Sequence, residues 1–113
     1  MSAPDDDPLF VALRALRGEY LADAPRKITE LWNALARVQN GEPGAVGELR
    51  TLVHRLAGSG GAYGFPVVTE RARAAEQLID RLDAASPNDA KFGEIRAHLQ
   101  AVADAFDQAR STE

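Results

Sequence analysis

Apolar residues recur at intervals of three and four along most of the chain, and this spacing is typical of amphipathic helices. Segments in which apolar and polar residues alternate, as in half-buried strands, are nearly absent, and β-branched residues are scattered. The pattern therefore predicts an all-α protein, and the breaks in it mark where each helix begins and ends.

The N-terminal part of the pattern predicts a short first helix. Asp7 followed by Pro8 is typical of an N-cap with proline at the first helical position. Phe10, Leu13 and Leu16 then form an apolar stripe along one face.

A second helix is predicted after Gly18, which loosens the junction. Pro25 lies within its pattern and removes one backbone donor, so the helix either kinks there or restarts. The glycine- and proline-rich segment 40–44 ends it. The residues predicted to face the core are Leu21, Ala24, Ile28, Leu31, Leu35 and Val38.

Three more helices follow. The third runs from about Ala45 to Tyr63 and stops at a turn at 64–66; so short a turn implies that the fourth helix packs antiparallel to the third. Residues 86–89 separate the fourth helix from the fifth. The predicted inward residues are Val46, Leu49, Leu52, Val53 and Leu56 on the third helix, Val68, Ala72, Ala75, Ile79 and Leu82 on the fourth, and Phe92, Ile95, Leu99, Val102 and Phe106 on the fifth.

Four long amphipathic helices with short links bury their stripes most simply in an antiparallel up-down four-helix bundle. The short additional N-terminal helix is expected to lie as a lid on one end. With 113 residues, 45% of them hydrophobic, the chain has enough apolar surface for one core. We therefore expect a single domain over residues 1–113, ordered from about 8 to 110.

Composition narrows the function classes. The absence of cysteine excludes disulfides, thiolate metal sites and a thiol nucleophile, and fits a reducing cytoplasm. Apolar runs are short and the N-terminus carries an acidic run at 5–7, so neither secretion nor membrane insertion is expected. A net charge of -4 gives no general attraction to nucleic acid.

One stripe of the third helix carries the candidate chemistry. Arg50, His54, Gly58 and Gly61 lie at spacings of four, four and three, away from the apolar stripe, so the side chain of His54 is expected to point toward solvent. Because Gly58 and Gly61 have no Cβ atoms, the helix surface beside His54 is open, and another macromolecule could reach the imidazole there.

Glycines are unusually dense after the histidine. Each one inside a helix is unfavourable by roughly 0.5–1 kcal/mol relative to alanine, so a compensating role is expected. For Gly58 and Gly61, access to the histidine is the better interpretation. For Gly60 and Gly64, tight packing or helix termination is about as plausible. Phe65, beside the turn, is either a core plug, the favoured interpretation, or part of an apolar docking surface.

The stretch from His54 to Phe65, HRLAGSGGAYGF, resembles the signature of histidine-containing phosphotransfer (Hpt) domains, in which glycines stand four and ten residues after a histidine. Gly58 and Gly64 occupy those positions. The Gly-Phe pair, the following Pro-Val-Val at 66–68 and the later Glu76 most resemble the N-terminal phosphotransfer domain of chemotaxis-type histidine kinases. The resemblance covers almost the whole chain.

The resemblance implies that the Nε2 atom of His54 takes a phosphoryl group from a histidine kinase catalytic domain or a receiver domain, and passes it to an aspartate of a response-regulator receiver. Imidazole suits this role, because a good fraction is unprotonated and nucleophilic near neutral pH. Glu76, where chemotaxis-type domains have a glutamate, is the candidate for accepting the Nδ1–H and leaving Nε2 free. The alternative is that Glu76 is a solvated residue paired with Arg73.

The chain departs from the family at one position. Family members commonly have a lysine three residues after the histidine, where this chain has Ala57. Arg73, Arg50 or Arg55 could supply the missing positive charge, and Arg50, on the stripe of His54, is the more favourable of the two that flank the histidine. Without any such cation, a degenerate module that binds and sequesters a receiver domain without accepting phosphate becomes the alternative function.

Other chemistry is weakly supported. No phosphate-binding loop or nucleotide motif is present, so no cofactor and no ATP-dependent kinase activity of its own are expected. His98 is interpreted as a residue at the edge of the core rather than a metal ligand. An acid–base or metal enzyme using His54 and Glu76 is disfavoured, because a bundle surface offers no enclosed substrate pocket. The resemblance allows either a free-standing phosphotransfer protein or the phosphoacceptor domain of a larger kinase.

Overall fold

The computed structural model of the chain describes residues 7–82 and 89–112. These contain four α-helices: α1 (Pro8–Gln39), α2 (Ala45–Ala62), α3 (Pro66–Asp80) and α4 (Asp89–Ser111). No strand occurs in those two ranges, and the predicted all-α bundle is confirmed. Most of the link predicted at 86–89 lies outside the described residues, as do both ends of the predicted 1–113 domain.

The helices pack in chain order around one core, with α2 between α1 and α3, and α4 against both α3 and α1. Arg37, near the end of α1, forms an ion pair with Glu48, near the start of α2. At the other end of this helix pair, the hydroxyl groups of Tyr20 and Ser59 are hydrogen-bonded at 2.7 Å. The two contacts show that α1 and α2 run antiparallel.

Most residues predicted to face the core are buried. Ile28, Val46, Leu52 and Leu82 are the exceptions, being only partly buried at its edge. The largest fully buried side chains come from all four helices: Leu31 and Leu35 from α1, Leu49 and Val53 from α2, Val68 and Ile79 from α3, and Ile95, Leu99, Val102 and Phe106 from α4. The heptad-like spacing therefore identified the core face of each helix correctly.

The prediction of a separate short N-terminal helix is wrong, because α1 is continuous from Pro8 to Gln39. Its start is as expected: Oδ1 of Asp7 accepts a hydrogen bond from the backbone N–H of Leu9 at 2.8 Å. Gly18 is unfavourable in a helix by only about 1 kcal/mol relative to alanine, and a proline removes one hydrogen bond, so neither Gly18 nor Pro25 ends the helix.

The predicted lid is also wrong. Residues 8–17, which we call the α1 overhang, continue the line of the helix beyond the bundle instead of folding over its end. Phe10, Leu13 and Leu16 are accordingly exposed. The molecule is 63 Å long but only 21 and 19 Å across. The apolar stripe of the overhang has the same phase as the core stripe of α1, so the helix had no reason to break and turn back.

The turn between α2 and α3 has the hydrogen bonds of a Schellman motif. The N–H of Phe65 donates to the carbonyl of Gly60 at 2.7 Å, and the N–H of Gly64 donates to the carbonyl of Gly61 at 3.1 Å. Gly64 has a φ of +88°, in the left-handed region that favours glycine. This turn sets the antiparallel alignment of α2 and α3 that the site depends on.

Candidate functional site

His54 and Glu76 meet across the α2–α3 interface. The Nδ1 atom of His54 lies 2.7 Å from Oε2 of Glu76. The imidazole is 74% exposed, whereas the Glu76 side chain is only 23% exposed. A neutral imidazole that donates its Nδ1–H to a carboxylate carries the lone pair on Nε2. In that tautomer, Nε2 is the nucleophilic nitrogen of a largely exposed ring.

The same helix register brings further polar pairs together on either side. One turn before His54, Nε of Arg50 lies 2.8 Å from Oδ1 of Asp80. Two turns after His54, the N–H of Gly61 donates to Oγ1 of Thr69 at 2.6 Å. Each step along α2 is matched by an equal step backward along α3, as expected for antiparallel helices. The pair formed by His54 and Glu76 is therefore one member of a ladder of cross-helix contacts.

Thr69 holds α3 close to α2. Its hydroxyl accepts the Gly61 hydrogen bond and donates to the carbonyl of Ala57 at 2.8 Å. The backbones approach so closely that a Cβ on Gly60 would lie 2.8 Å from Cγ1 of Val68. Gly60 thus serves packing, one of the two interpretations left open for it. Thr69 lies on the same face of α3 as Arg73 and Glu76, by its spacing, but no pattern in the sequence indicates its contacts.

Gly58 differs from the other glycines near the histidine. A Cβ at Gly58 would have no neighbour within 4 Å, and the residue is exposed one turn after His54. A Cβ at Gly61 would lie 3.3 Å from Oγ1 of Thr69, so Gly61 contributes to the helix contact as well as to the open surface. Gly64 terminates α2, as one interpretation proposed. The open surface beside the histidine is therefore centred on Gly58.

A family model for the Hpt domain matches residues 15–105, most of the chain. The chain belongs to the Hpt domain family. Separate searches of curated proteins and of solved structures found no match. Membership gives the chain a phosphorelay carrier role in two-component signalling, in which Hpt domains interact with receiver and kinase partners. The matched range contains all four helices in whole or in part, as well as the site.

The arginines of this Hpt domain lie in different surroundings. Arg50 is paired with Asp80, as described above. Arg55 lines a groove between α1 and α2 together with Lys27, on the far side of α2 from Glu76; partial burial lowers the pKa of Lys27 below its ordinary value. Arg73 is exposed on α3, one turn before Glu76. Arg50 was expected to be the available cation, but its ion pair with Asp80 does not support this expectation.

Arg73 lies beside the open surface of the Hpt domain. It lines a shallow surface groove with Gly61 and Thr69, and within residues 7–82 and 89–112 no carboxylate pairs with it. The alternative in which Glu76 pairs with Arg73 is wrong, since Glu76 contacts His54 instead. By the register of the ladder, Arg73 lies opposite Ala57, the position at which the family commonly has lysine.

Phe65 belongs to the core of the Hpt domain and not to its surface. It is 7% exposed, and its ring lies 5.8 Å from that of Tyr20 and 6.0 Å from that of Phe106, centroid to centroid. The guanidinium of Arg17 covers it at 4.5 Å. This environment fits the interpretation of Phe65 as a core residue. The alternative, that Phe65 belongs to an apolar docking surface, is wrong.

No second chemical centre emerges from the described part of the Hpt domain. No cluster of three potential metal ligands occurs there. His98 is half-buried, with Nδ1 3.4 Å from a nitrogen of Arg71, as expected for a residue at the edge of the core. None of the described helices combines the length and apolarity required to cross a membrane.

Proposed function

We propose that His54 is the phosphoacceptor of this Hpt domain and that its Nε2 atom exchanges a phosphoryl group with an aspartate of a receiver domain. The observation that carries this proposal is the 2.7 Å contact between Nδ1 of His54 and Glu76. This contact supports the proposal because a carboxylate favours the tautomer with hydrogen on Nδ1, which leaves Nε2 nucleophilic on a largely exposed side chain. In a protein with two histidines, only His54 has such a carboxylate partner among the described residues.

The transfer is a displacement at phosphorus. The lone pair of Nε2 attacks the phosphorus of the receiver's aspartyl phosphate, the N–P bond forms, the P–O bond to the aspartate breaks, and the aspartate leaves as a carboxylate. The imidazole ring gains positive charge in this step. Glu76, which keeps its hydrogen bond to Nδ1–H, stabilises that charge, and the reverse reaction uses the same contacts.

Access and charge are supplied by different residues. Gly58 leaves the surface one turn after His54 open for the approach of a receiver or of the catalytic domain of a histidine kinase. We assign Arg73 as the cation that meets the phosphoryl oxygens. It takes the role of the lysine that family members commonly have at the position of Ala57. Arg73 has no carboxylate partner in the described residues and lies opposite Ala57. Arg50 is already engaged by Asp80.

The wider setting follows from this chemistry. ATP-dependent histidine kinases and receivers operate in the cytoplasm, where we expect this domain to act, as a single unit within residues 1–113. The chain uses no cofactor in this scheme. The narrower resemblance to chemotaxis-type kinase domains stays a prediction from the sequence, supported by the contact that Glu76 makes.

A labelling experiment tests the proposal. The chain is incubated with a receiver domain carrying radiolabelled aspartyl phosphate, and we expect label that is acid-labile and alkali-stable on the chain. His54→Gln should abolish the label, whereas the matched variant His98→Gln should keep it. Glu76→Ala should label at least several-fold more slowly with an unchanged circular dichroism spectrum, because the ring loses its orienting partner.

The degenerate alternative predicts a different result. A module that only sequesters receivers would bind the receiver domain but acquire no label in the wild type. Label that persists in His54→Gln would also contradict the proposal, since it would place the phosphoryl group on another residue. An unchanged rate in Glu76→Ala would leave His54 as the acceptor and remove the orienting role of Glu76.

A further inference from the structure

The α1 overhang exposes an unusual amount of apolar surface. Leu9, Phe10, Val11, Leu13 and Leu16 are all between 44% and 67% exposed, and they supply nearly all the large exposed hydrophobic side chains of the described chain. Val11 lies on the opposite face of the helix, and the other four together present on the order of 400 Å² of apolar surface, as much as the largest patches of typical monomeric proteins. Ten residues of unsupported helix are also only marginally stable in water.

The exposed stripe is a continuation of the core. Leu9, Leu13 and Leu16 lead into Tyr20 and Ala24 at steps of three and four, so they share one face of α1. Within the bundle, that face packs against α2 and α4. Beyond the end of α2 at Ala62, no described segment of the chain covers it. The stripe therefore has the composition and phase of a face that packs against another helix, but no described helix of the chain packs against it.

We propose that the overhang binds the overhang of a second copy of this chain, forming an antiparallel dimer. A parallel arrangement would bring the bundle of the second copy onto the face of α1 that already packs against α2 and α4. An antiparallel arrangement places the two bundles at opposite ends. Two such stripes bury on the order of 800 Å² in total, which is below the size of stable interfaces and typical of weak ones, so we expect a dimer that dissociates on dilution.

The dimensions of the overhang fit this arrangement. Its ten residues span about 15 Å, so in an antiparallel pair with the twofold axis near Leu13, the first turn of each copy reaches the bundle of the other. Leu9 of one copy then lies beside Leu16 of the second. At that point an incoming apolar side chain can enter a surface groove of about 670 Å³, which is lined by Phe10, Leu13, Leu16, Ala62 and Tyr63 together with Arg14 and Arg17. The interface is self-complementary, as a twofold dimer requires.

Sedimentation velocity over a range of concentrations, from micromolar to submillimolar, tests the dimer. We expect the wild-type chain to change from monomer to dimer across this range. Leu13→Glu places like charges near the twofold axis and should remain monomeric throughout. Val11→Glu is the matched control: it adds the same charge at an equally exposed position on the opposite face of the overhang, and should dimerise as the wild type does.

The orientation is tested by disulfide formation, which the lack of native cysteine makes unambiguous. Leu9→Cys mixed with Leu16→Cys should give a cross-linked heterodimer under mild oxidation, more than either variant gives alone. A wild type that is monomeric at every concentration, equal effects of the Leu13 and Val11 variants, or preferential Leu9–Leu9 cross-linking would each overturn the proposal. None of these measurements uses a phosphoryl donor, so their outcome is independent of the function proposed for His54.

Discussion

Ala57 leaves the position three residues after His54 without a charge, so the proposed function requires a cation from another position to meet the phosphoryl group. Arg73 and Arg55 are the two exposed arginines close to His54 that no carboxylate engages in the described residues. They differ in location. Arg73 lies on α3 beside the open surface at Gly61, and Arg55 lines the groove toward α1. This difference allows their contributions to be separated.

Replacement of Arg73 by alanine is expected to slow the transfer of phosphoryl groups from a phosphorylated receiver to His54 by about fivefold, the equivalent of about 1 kcal/mol for a partly exposed charge-assisted contact. Arg73→Lys should recover part of the rate. Arg55→Ala removes an equal charge on the other side of α2 and should change the rate much less. Rapid-quench labelling measures all three. An effect of Arg55→Ala as large as that of Arg73→Ala would show that only the net charge of the surface matters.

The sequence predicted the contact between His54 and Glu76 but not the partner of the neighbouring Arg50. His54 was predictable because the glycine spacing after it is distinctive, and Glu76 because the resemblance carries a glutamate at that position. Arg50 was favoured as a free cation because it shares the stripe of His54. Its engagement by Asp80 depends on the register between α2 and α3, a long-range property that no local spacing expresses.

At the scale of the helices, the contact between α2 and α3 is what aligns His54 with Glu76. Thr69 and Gly60 make that contact unusually close, about two turns from His54 and Glu76. Stripe periodicity predicted which faces of these helices are buried, since it is a local property. It could not predict that a threonine hydroxyl would bridge the backbone of α2, because this depends on the separation of the helices.

Thr69→Val keeps the shape of the side chain but removes the hydroxyl, leaving the Ala57 carbonyl without its bridging donor and the Gly61 N–H without its acceptor. The free energy of unfolding is expected to fall by about 1–2 kcal/mol, as for other partly buried polar groups that lose a partner. Thr69→Ser keeps the hydroxyl and should lose less than half as much. Urea denaturation gives both values. A serine variant as unstable as the valine variant would assign the effect to the methyl group instead.

At the scale of the whole molecule, the chain divides into a packed bundle and an overhang that contributes little to its core. The sequence indicated two helices here because Gly18 and Pro25 are helix-disfavouring residues. Their local effects, roughly 1 kcal/mol for glycine and roughly 3 kcal/mol for proline, are outweighed by a stripe that keeps one phase through α1. The length of α1 follows from its periodicity, whereas the exposure of its first turns within the described residues follows only from where the other helices end.

This division predicts that replacing an apolar side chain by alanine lowers the free energy of unfolding much more in the bundle than in the overhang. Phe106 is 1% exposed and packs at 5.7 Å from the ring of Tyr20, so Phe106→Ala should lower the free energy of unfolding by about 3–5 kcal/mol. Leu13→Ala, measured in dilute solution where the chain is monomeric, should lower it by less than about 0.5 kcal/mol, because Leu13 is already exposed to water in the folded monomer. Urea denaturation followed by circular dichroism gives both values. A comparable loss in Leu13→Ala would mean that the overhang packs within one chain, and it would remove the apolar surface on which the dimer depends.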